Sequence, residues 1–310
     1  MRLTLRQLQI FLAIAQTGST SAAADEVNLS QSATSAALNE LEHGLEISLF
    51  DRIGKRLQLN DNGRLLQPQA NQLLDAARVI EQQFSPGFAQ SGAGLRLGAS
   101  TTVGIYVLPA ILAKTHSDSM SYPNVTIANT ADIAHAVANF DLDLGLIEGP
   151  CHQEELYAER WISDELIIVC APEHPILNGG VEAKVPLKNL RSAQWLLREP
   201  GSGTRETVEQ ALLPHLHHLN CIGEFGNSEA IKYAAAEGLG IACLSRRVVA
   251  DLLSMRKIVE VKTTLPKLER NFYLIHHRHK ILSARLQDFL TSCRKMSAPD
   301  KSIRTEHKQE

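Results

Sequence analysis

The first sixty residues place a short helix, a tight turn and a serine-capped second helix ahead of a basic hairpin. Few folds accept that order. Thr4 and Gln7 have the spacing of a capping box, and Leu5, Leu8, Phe11, Leu12 and Ala15 then recur at helical intervals. Thr17-Gly18 stops this helix. Ser19 caps a second one through Ala24, Val27-Asn28-Leu29 turns the chain, and Ser30 caps a third. Ala33, Ala37, Leu38 and Leu41 are expected on the inner face of the third helix, with Gln31, Ser32, Ser35 and Asn39 on its outward stripe. Leu49-Phe50-Asp51-Arg52 and Leu57-Gln58-Leu59 read as short strands around Gly54-Lys55-Arg56.

This is the pattern of a winged helix-turn-helix, whose second helix enters a major groove. Glutamine pairs with an adenine edge, and short hydroxyls with a helix N-terminus hold phosphate. The expected DNA-facing set is Thr20, Ser30, Gln31, Ser32, Thr34, Ser35 and Asn39, with Arg52, Lys55 and Arg56 reaching phosphates or a minor groove from the hairpin. A polar helix face in water is the plainer reading, but it leaves the basic turn unexplained. Residues 1–60 hold five Lys/Arg against six Asp/Glu, so one copy grips DNA weakly and two or more per site are expected.

Residues 61–85 predict one long helix with an early Pro68 that should kink it. Leu66, Ala70, Leu73, Ala77, Ile80 and Phe84 alternate spacings of four and three, a coiled-coil seam suited to a homodimer. An amphipathic helix packed on its own core is the alternative. Ser85-Pro86-Gly87 and Gln90-Ser91-Gly92-Ala93-Gly94 then read as a hinge.

Beyond the hinge, strands at 95–99, 125–128 and 142–147 alternate with helices at 103–113 and 132–139. Such alternation predicts a mostly parallel, doubly wound α/β sheet. A second lobe of the same type starts at Leu166 to Ala171 and continues through Trp195-Leu196-Leu197-Arg198 and Ile241-Ala242-Cys243-Leu244. A last helix, about Ser283 to Lys295, follows a strand at Phe272 to His276. The expected domains are 1–60, 61–92 and 93–296, the last split into lobe I (93–164 and 268–296) and lobe II (165–267), with a disordered polar tail at 297–310.

Two α/β lobes bind ligands at the carboxyl ends of their strands. Three helix N-termini are expected there, after Ser100-Thr101-Thr102, Gly203-Thr204-Arg205 and Asn227-Ser228. Backbone N–H groups, dipole ends and hydroxyls suit a small anion, with Arg205 supplying charge. Each is also an ordinary helix cap; their convergence in one cleft favours the ligand reading.

The run Ser19-Thr20-Ser21-Ala22-Ala23-Ala24, Leu29-Ser30-Gln31-Ser32-Ala33-Thr34-Ser35, Leu41-Glu42, Leu49-Phe50-Asp51-Arg52 and Leu59-Asn60-Asp61-Asn62-Gly63 resembles the N-terminal signature of LysR-type regulators. Thr34 stands where valine is commoner. The resemblance implies a linker helix, a periplasmic-binding-protein-like effector domain, a homotetramer built as a dimer of dimers, promoter DNA as target and RNA polymerase as a further partner. Glu148-Gly149-Pro150-Cys151-His152, Gly201 to Glu206, Gly226 to Lys232 and His276-His277-Arg278 resemble the sulfur-metabolism branch, the CysL/YeiE-like regulators. That implies a sulfur oxyanion such as sulfite as effector and adds Glu148 to its site.

Composition narrows the rivals. Hydrophobic residues make up 44% and charged residues 21% of 310 residues, with net charge −3, so a nucleic-acid contact must be local. No apolar run nears the roughly 20 residues a bilayer needs, and the N-terminus is not a signal peptide. A cytoplasmic protein without membrane contact is expected, which disfavours a transport solute-binding protein. An enzyme is disfavoured too. Gly226-Asn227-Ser228-Glu229-Ala230 lacks the last glycine of a nucleophile elbow, and Gly238-Leu239-Gly240 lacks the third of a dinucleotide fingerprint. No cofactor is expected. His215, His217, His218 and His276, His277, His279 are read as surface or strand-end residues rather than metal ligands. The five cysteines include no CxxC, and Cys151 is the best candidate for a thiol or peroxide switch. A small carboxylate is the other alternative effector.

Overall fold

The computed structural model describes residues 3–54, 56–84, 94–115 and 122–297, with the side chains of 82–84 and 297 excepted. Lys55, most of the expected hinge and the tail from 298 lie outside the described residues, as does the side chain of Phe84. The chain divides into two compact units. Residues 1–92 with Ala138–Asp141 and His279–Ile281 form the first, and the remainder forms the second.

In the first unit, helices α1 (Leu5–Thr17), α2 (Thr20–Glu26) and α3 (Gln31–Leu45) precede strands β1 (Phe50–Ile53) and β2 (Arg56–Leu59) and the long helix α4 (Asp61–Phe84). The Thr4–Gln7 capping box forms, and Gly18 ends α1 in the left-handed region at φ 67°. Leu8, Phe11, Ile14, Ala23, Leu38, Leu41, Leu49 and Phe50 make the core, with the Phe11 and Phe50 rings 5.5 Å apart. A Cβ on Gly63 would stand 2.2 Å from the Leu49 carbonyl oxygen, so only glycine lets α4 start this close to the hairpin.

Two expectations need correction here. The inner face of α3 is Thr34, Leu38 and Leu41, and Ala33 is exposed. Thr34 lies four and seven residues before Leu38 and Leu41, so the helical period puts it on their inward stripe. On α4, Ala70 is fully buried in the helix-turn-helix core and Leu66 packs beside it, so these two cover their own unit. Leu73 and Ile80 are 50% and 58% exposed, and Ala77 is half-buried. The helix runs unbroken through Pro68.

The second unit is built on a mixed nine-stranded sheet. Strands β3 (Arg96–Ser100), β4 (Asn124–Ala128) and β5 (Leu144–Glu148) pair in parallel in the first lobe. In the second lobe, β7 (Gln194–Arg198) pairs in parallel with β8 (Asn220–Phe225) and β9 (Ile241–Ser245). Between these triplets run two long antiparallel strands, β6 (Leu156–Cys170) and β11 (Leu268–His277), which belong to both lobes. The short β10 (Val259–Glu260) pairs with β6. Parallel pairing is therefore confined within each lobe. Helices α5 (Thr101–Tyr106), α6 (Leu108–Thr115), α7 (Thr130–Ala138) and α12 (Ala284–Ser297) flank the first triplet. The second carries α8 (Leu187–Ser192), α9 (Gly203–Leu216), α10 (Ser228–Ala236) and α11 (Arg246–Ser254).

One expected helix at 103–113 is two, broken at Val107. Pro109 donates no N–H, and its ring opposes the Ile105 carbonyl. Each lobe has its own core. Leu97, Leu146, Trp161, Phe272 and Leu286 pack in one, and Leu166, Trp195, Val208, Leu212 and Cys243 in the other. No helix of the described residues is long and apolar enough to cross a membrane.

Thr34 is 0% exposed and its hydroxyl has no hydrogen-bond partner among the described residues. A buried unsatisfied hydroxyl costs about 1–3 kcal/mol. Thr34→Val keeps the shape and removes that hydroxyl, so it is expected to stabilise the first unit by about 1 kcal/mol, seen as a higher thermal midpoint. A midpoint that stays or falls would show that the hydroxyl is satisfied.

Candidate functional site

The outward face of α3, expected to read DNA, is small and polar. Ser30 accepts from the Ala33 N–H at 3.2 Å and lies 3.0 Å from the Ser32 hydroxyl. Gln31 is exposed and donates from Nε2 to the Thr20 hydroxyl at 3.2 Å, which aims its amide outward from the junction of α2 and α3. Asn39 is exposed and Ser35 half-buried on the same side. Thr34, expected on this face, is in the core and cannot touch DNA. Arg52 and Arg56 are exposed, but they occupy opposite faces of the hairpin, because Arg52 pairs with Leu57 and Arg56 with Ile53. Sequence reasoning missed Arg6, whose guanidinium donates to the Val27 carbonyl at 2.7 Å and pins the turn between α2 and α3.

In the second unit, five of the expected effector residues, Thr101, Thr102, Glu148, Thr204 and Ser228, converge on two buried guanidinium groups that sequence reasoning did not include. Arg270, near the β11 bulge, donates from Nη1 to Glu148 Oε2 at 2.6 Å and from Nε to Asp164 Oδ2 at 2.8 Å. These three side chains are at most 2% exposed. Glu148 also accepts from the Thr102 amide at 2.8 Å, the Thr102 hydroxyl at 2.9 Å and the Thr204 hydroxyl at 2.5 Å. The anion at these two helix starts is thus the chain's own carboxylate. Burial alone would raise the Glu148 pKa, but the Arg270 charge and the hydroxyl and amide donors outweigh it and hold it at about 2. Gly203 presses on the Glu148 carbonyl, where a Cβ would lie 1.7 Å from the oxygen. Thr130 donates to that same oxygen at 3.0 Å.

Arg198 closes β7, and its side chain is 1% exposed. From Nη1 it donates to the Thr101 hydroxyl at 2.9 Å and the Ser228 hydroxyl at 3.1 Å, so it bridges the lobes. Its other edge holds the Glu199 carboxylate at 2.7 and 2.8 Å. Arg205, expected to carry the formal charge, turns away from the cleft to Glu209, Glu224 and the Arg198 carbonyl. Asn227 caps α10 through the Ala230 N–H. Ser100 is buried and its hydroxyl has no partner among the described residues. Farther along α5, Tyr106 crosses to the second lobe, where its hydroxyl meets Glu229 and buried Lys232. The signal that points to Arg198 is an arginine closing an apolar strand, Trp195-Leu196-Leu197-Arg198; Arg270, between Glu269 and Asn271, carries no such signal.

Residues 5–64 match the bacterial regulatory helix-turn-helix protein, lysR family, and residues 89–298 match the LysR substrate binding domain. The chain is 46% identical over 300 residues to the HTH-type transcriptional regulator YeiE of Escherichia coli K12, covering 96% of this chain and 100% of that one. A full-length OxyR variant of Pseudomonas aeruginosa has the same fold, with TM-score 0.77 and 20% identity across 96% of both chains. The regulatory domain of CcmR from Synechocystis PCC6803, solved in complex with 2-PG, superposes with TM-score 0.58 and 26% identity over 67% of this chain and 99% of that one.

Because the ionised Glu148 is favoured in the fold, its contribution is full above pH 4.5 and is lost as pH falls towards about 2. Glu148→Gln is expected to cost about 3 kcal/mol, by leaving Arg270 short of one buried partner. It should also remove this acid-sensitive part of the stability. An unchanged urea midpoint with an unchanged acid profile would contradict the assignment. With both matched regions in place around these two sites, the chain belongs to the LysR family: it is a DNA-binding transcriptional regulator with an effector-binding domain, not an enzyme.

Proposed function

We propose that this regulator reads promoter DNA through α3 and its hairpin, dimerises through α4 and assembles as a dimer of dimers, and responds to a small oxyanion, sulfite foremost, held between the lobes of its effector domain. The carrying observation is Arg198. It is a buried guanidinium that touches a hydroxyl from each lobe, and its only carboxylate partner among the described residues, Glu199, is 21% exposed. Sulfite is favoured over other anions by the branch-specific runs around Glu148, Thr204 and Ser228. The complex of the CcmR regulatory domain with 2-PG supports ligand binding in a domain of this kind. Binding alters DNA contacts only if the ligand prefers one of two lobe or tetramer arrangements.

A thiol switch is less well supported. Burial pushes the Cys151 thiol up, and it holds Cys170, Cys243 and Cys293 at about 12, opposite to the low pKa a redox sensor needs.

Calorimetric titration with sulfite, sulfate, phosphate and acetate tests the effector reading, with binding of sulfite in the micromolar range expected (about −8 kcal/mol). No heat with any anion would overturn it. For DNA, Gln31→Ala should weaken operator binding by about 1–3 kcal/mol and relax one base position per half-site, whereas Arg52→Ala should weaken all sequences alike and flatten the salt dependence. Full operator discrimination by the Gln31 variant would refute the reading face. Leu73→Asp with Ile80→Asp should yield monomers by sedimentation; a surviving dimer would place the interface elsewhere.

A further inference from the structure

We infer that the effector binds Arg198 in the place that the Glu199 carboxylate occupies in this structure, so that Glu199 is a tethered competitor of the ligand. The inference rests on the small-anion reading above and assigns its subsite.

All five guanidinium N–H groups of Arg198 have acceptors. Nε and Nη2 reach Glu199 at 2.7 and 2.8 Å, Nη2 also reaches the Gly226 carbonyl at 3.4 Å, and Nη1 reaches Thr101 and Ser228. An anion therefore enters only by replacing a partner. Gly226 is held by the backbone, and Thr101 and Ser228 open helices. Glu199 alone has a carboxylate in contact with water, at 21% exposure. It grips the planar fork with two oxygens, the same bidentate pattern that a sulfur or phosphorus oxyanion presents. Arg270 offers no such exchange, because Glu148 and Asp164 are both sealed from solvent.

The surroundings hold further donors. Thr101 and Ser228 accept from Nη1, so their hydroxyl protons point away from the guanidinium. Among the described residues neither hydroxyl donates a hydrogen bond. Ser228 is 4% exposed, and Ser100, which precedes Thr101 in the chain and is 1% exposed, has a hydroxyl without a partner among the described residues. The nine-residue helix α10 starts at Ser228 and adds its positive end. The ligand class that fits is a compact oxyanion with two oxygens for the fork and at least one more for a hydroxyl.

A built-in competitor lowers the apparent affinity by the fraction of time it holds the site. Full-length wild-type, Glu199→Gln, Arg198→Gln and Glu206→Gln proteins would be titrated with sodium sulfite, sulfate and phosphate by calorimetry at fixed pH and ionic strength. Glu199→Gln should bind the preferred anion about tenfold more tightly, Glu206→Gln should match wild type, and Arg198→Gln should lose binding. If wild type binds but Glu199→Gln is no tighter, or Glu206→Gln tightens equally, the competitor is refuted while the small-anion reading stands. If none of the proteins binds any of the three anions, both fall.

Discussion

The salt bridge between Glu148 and Arg270 fixes the geometry of the effector domain. Glu148 ends β5 in the first lobe, Arg270 sits in a strand shared by both lobes, and Thr204 opens the first helix after β7 in the second. A buried carboxylate is tolerated only when charge and hydrogen bonds replace its water. Here two threonine hydroxyls, one backbone amide and one guanidinium do so. Losing any of them exposes the cost of the others. The network therefore sets how closely the two lobes approach, and Gly203 on the Glu148 carbonyl shows how tight that approach is.

The same arrangement explains why two buried cations in one cleft need not have the same role. Arg270 is compensated by two sealed carboxylates and is structural. Arg198 is compensated by one carboxylate that touches water, the partner that we propose the effector replaces. Both lie against the N-terminal turn of α5, through Thr101 for one and Thr102 for the other. Arg198 is thus one residue away from the network that holds the lobes, and under the proposed reading that adjacency would couple ligand to domain arrangement.

Much of this was legible in the sequence. Periodicity and caps gave α1 to α4, since their apolar stripes and Ser/Thr caps are local signals. Alternation of strands and helices gave the two lobes. Thr102, Thr204, Glu148 and Ser228 are all at the cleft. What escaped is non-local. The first half of β6 alternates with Glu159, Arg160 and Asp164, so it read as polar chain until its pairing with β11 was visible. Thr34 and Ser35 are adjacent and chemically alike, and only the helix phase separates the core from the outward face. Leu66 and Ala70 fit a heptad seam equally well, but the helix-turn-helix core claims them first. Arg205 was the nearest charge in sequence to the expected site, whereas the bridging charge, Arg198, closes the apolar strand before it, and its contacts with Thr101 and Ser228 come from distant parts of the chain.

A crystal structure of the full-length protein grown with sulfite tests the central claim most directly. The account predicts a pyramidal anion on the Nε–Nη2 edge of Arg198, within hydrogen-bond distance of the Thr101 or Ser228 hydroxyl, with the Glu199 side chain turned into solvent and Glu148 still on Arg270. Sulfite bound elsewhere, or Glu199 still paired with Arg198 beside an occupied site, would contradict it.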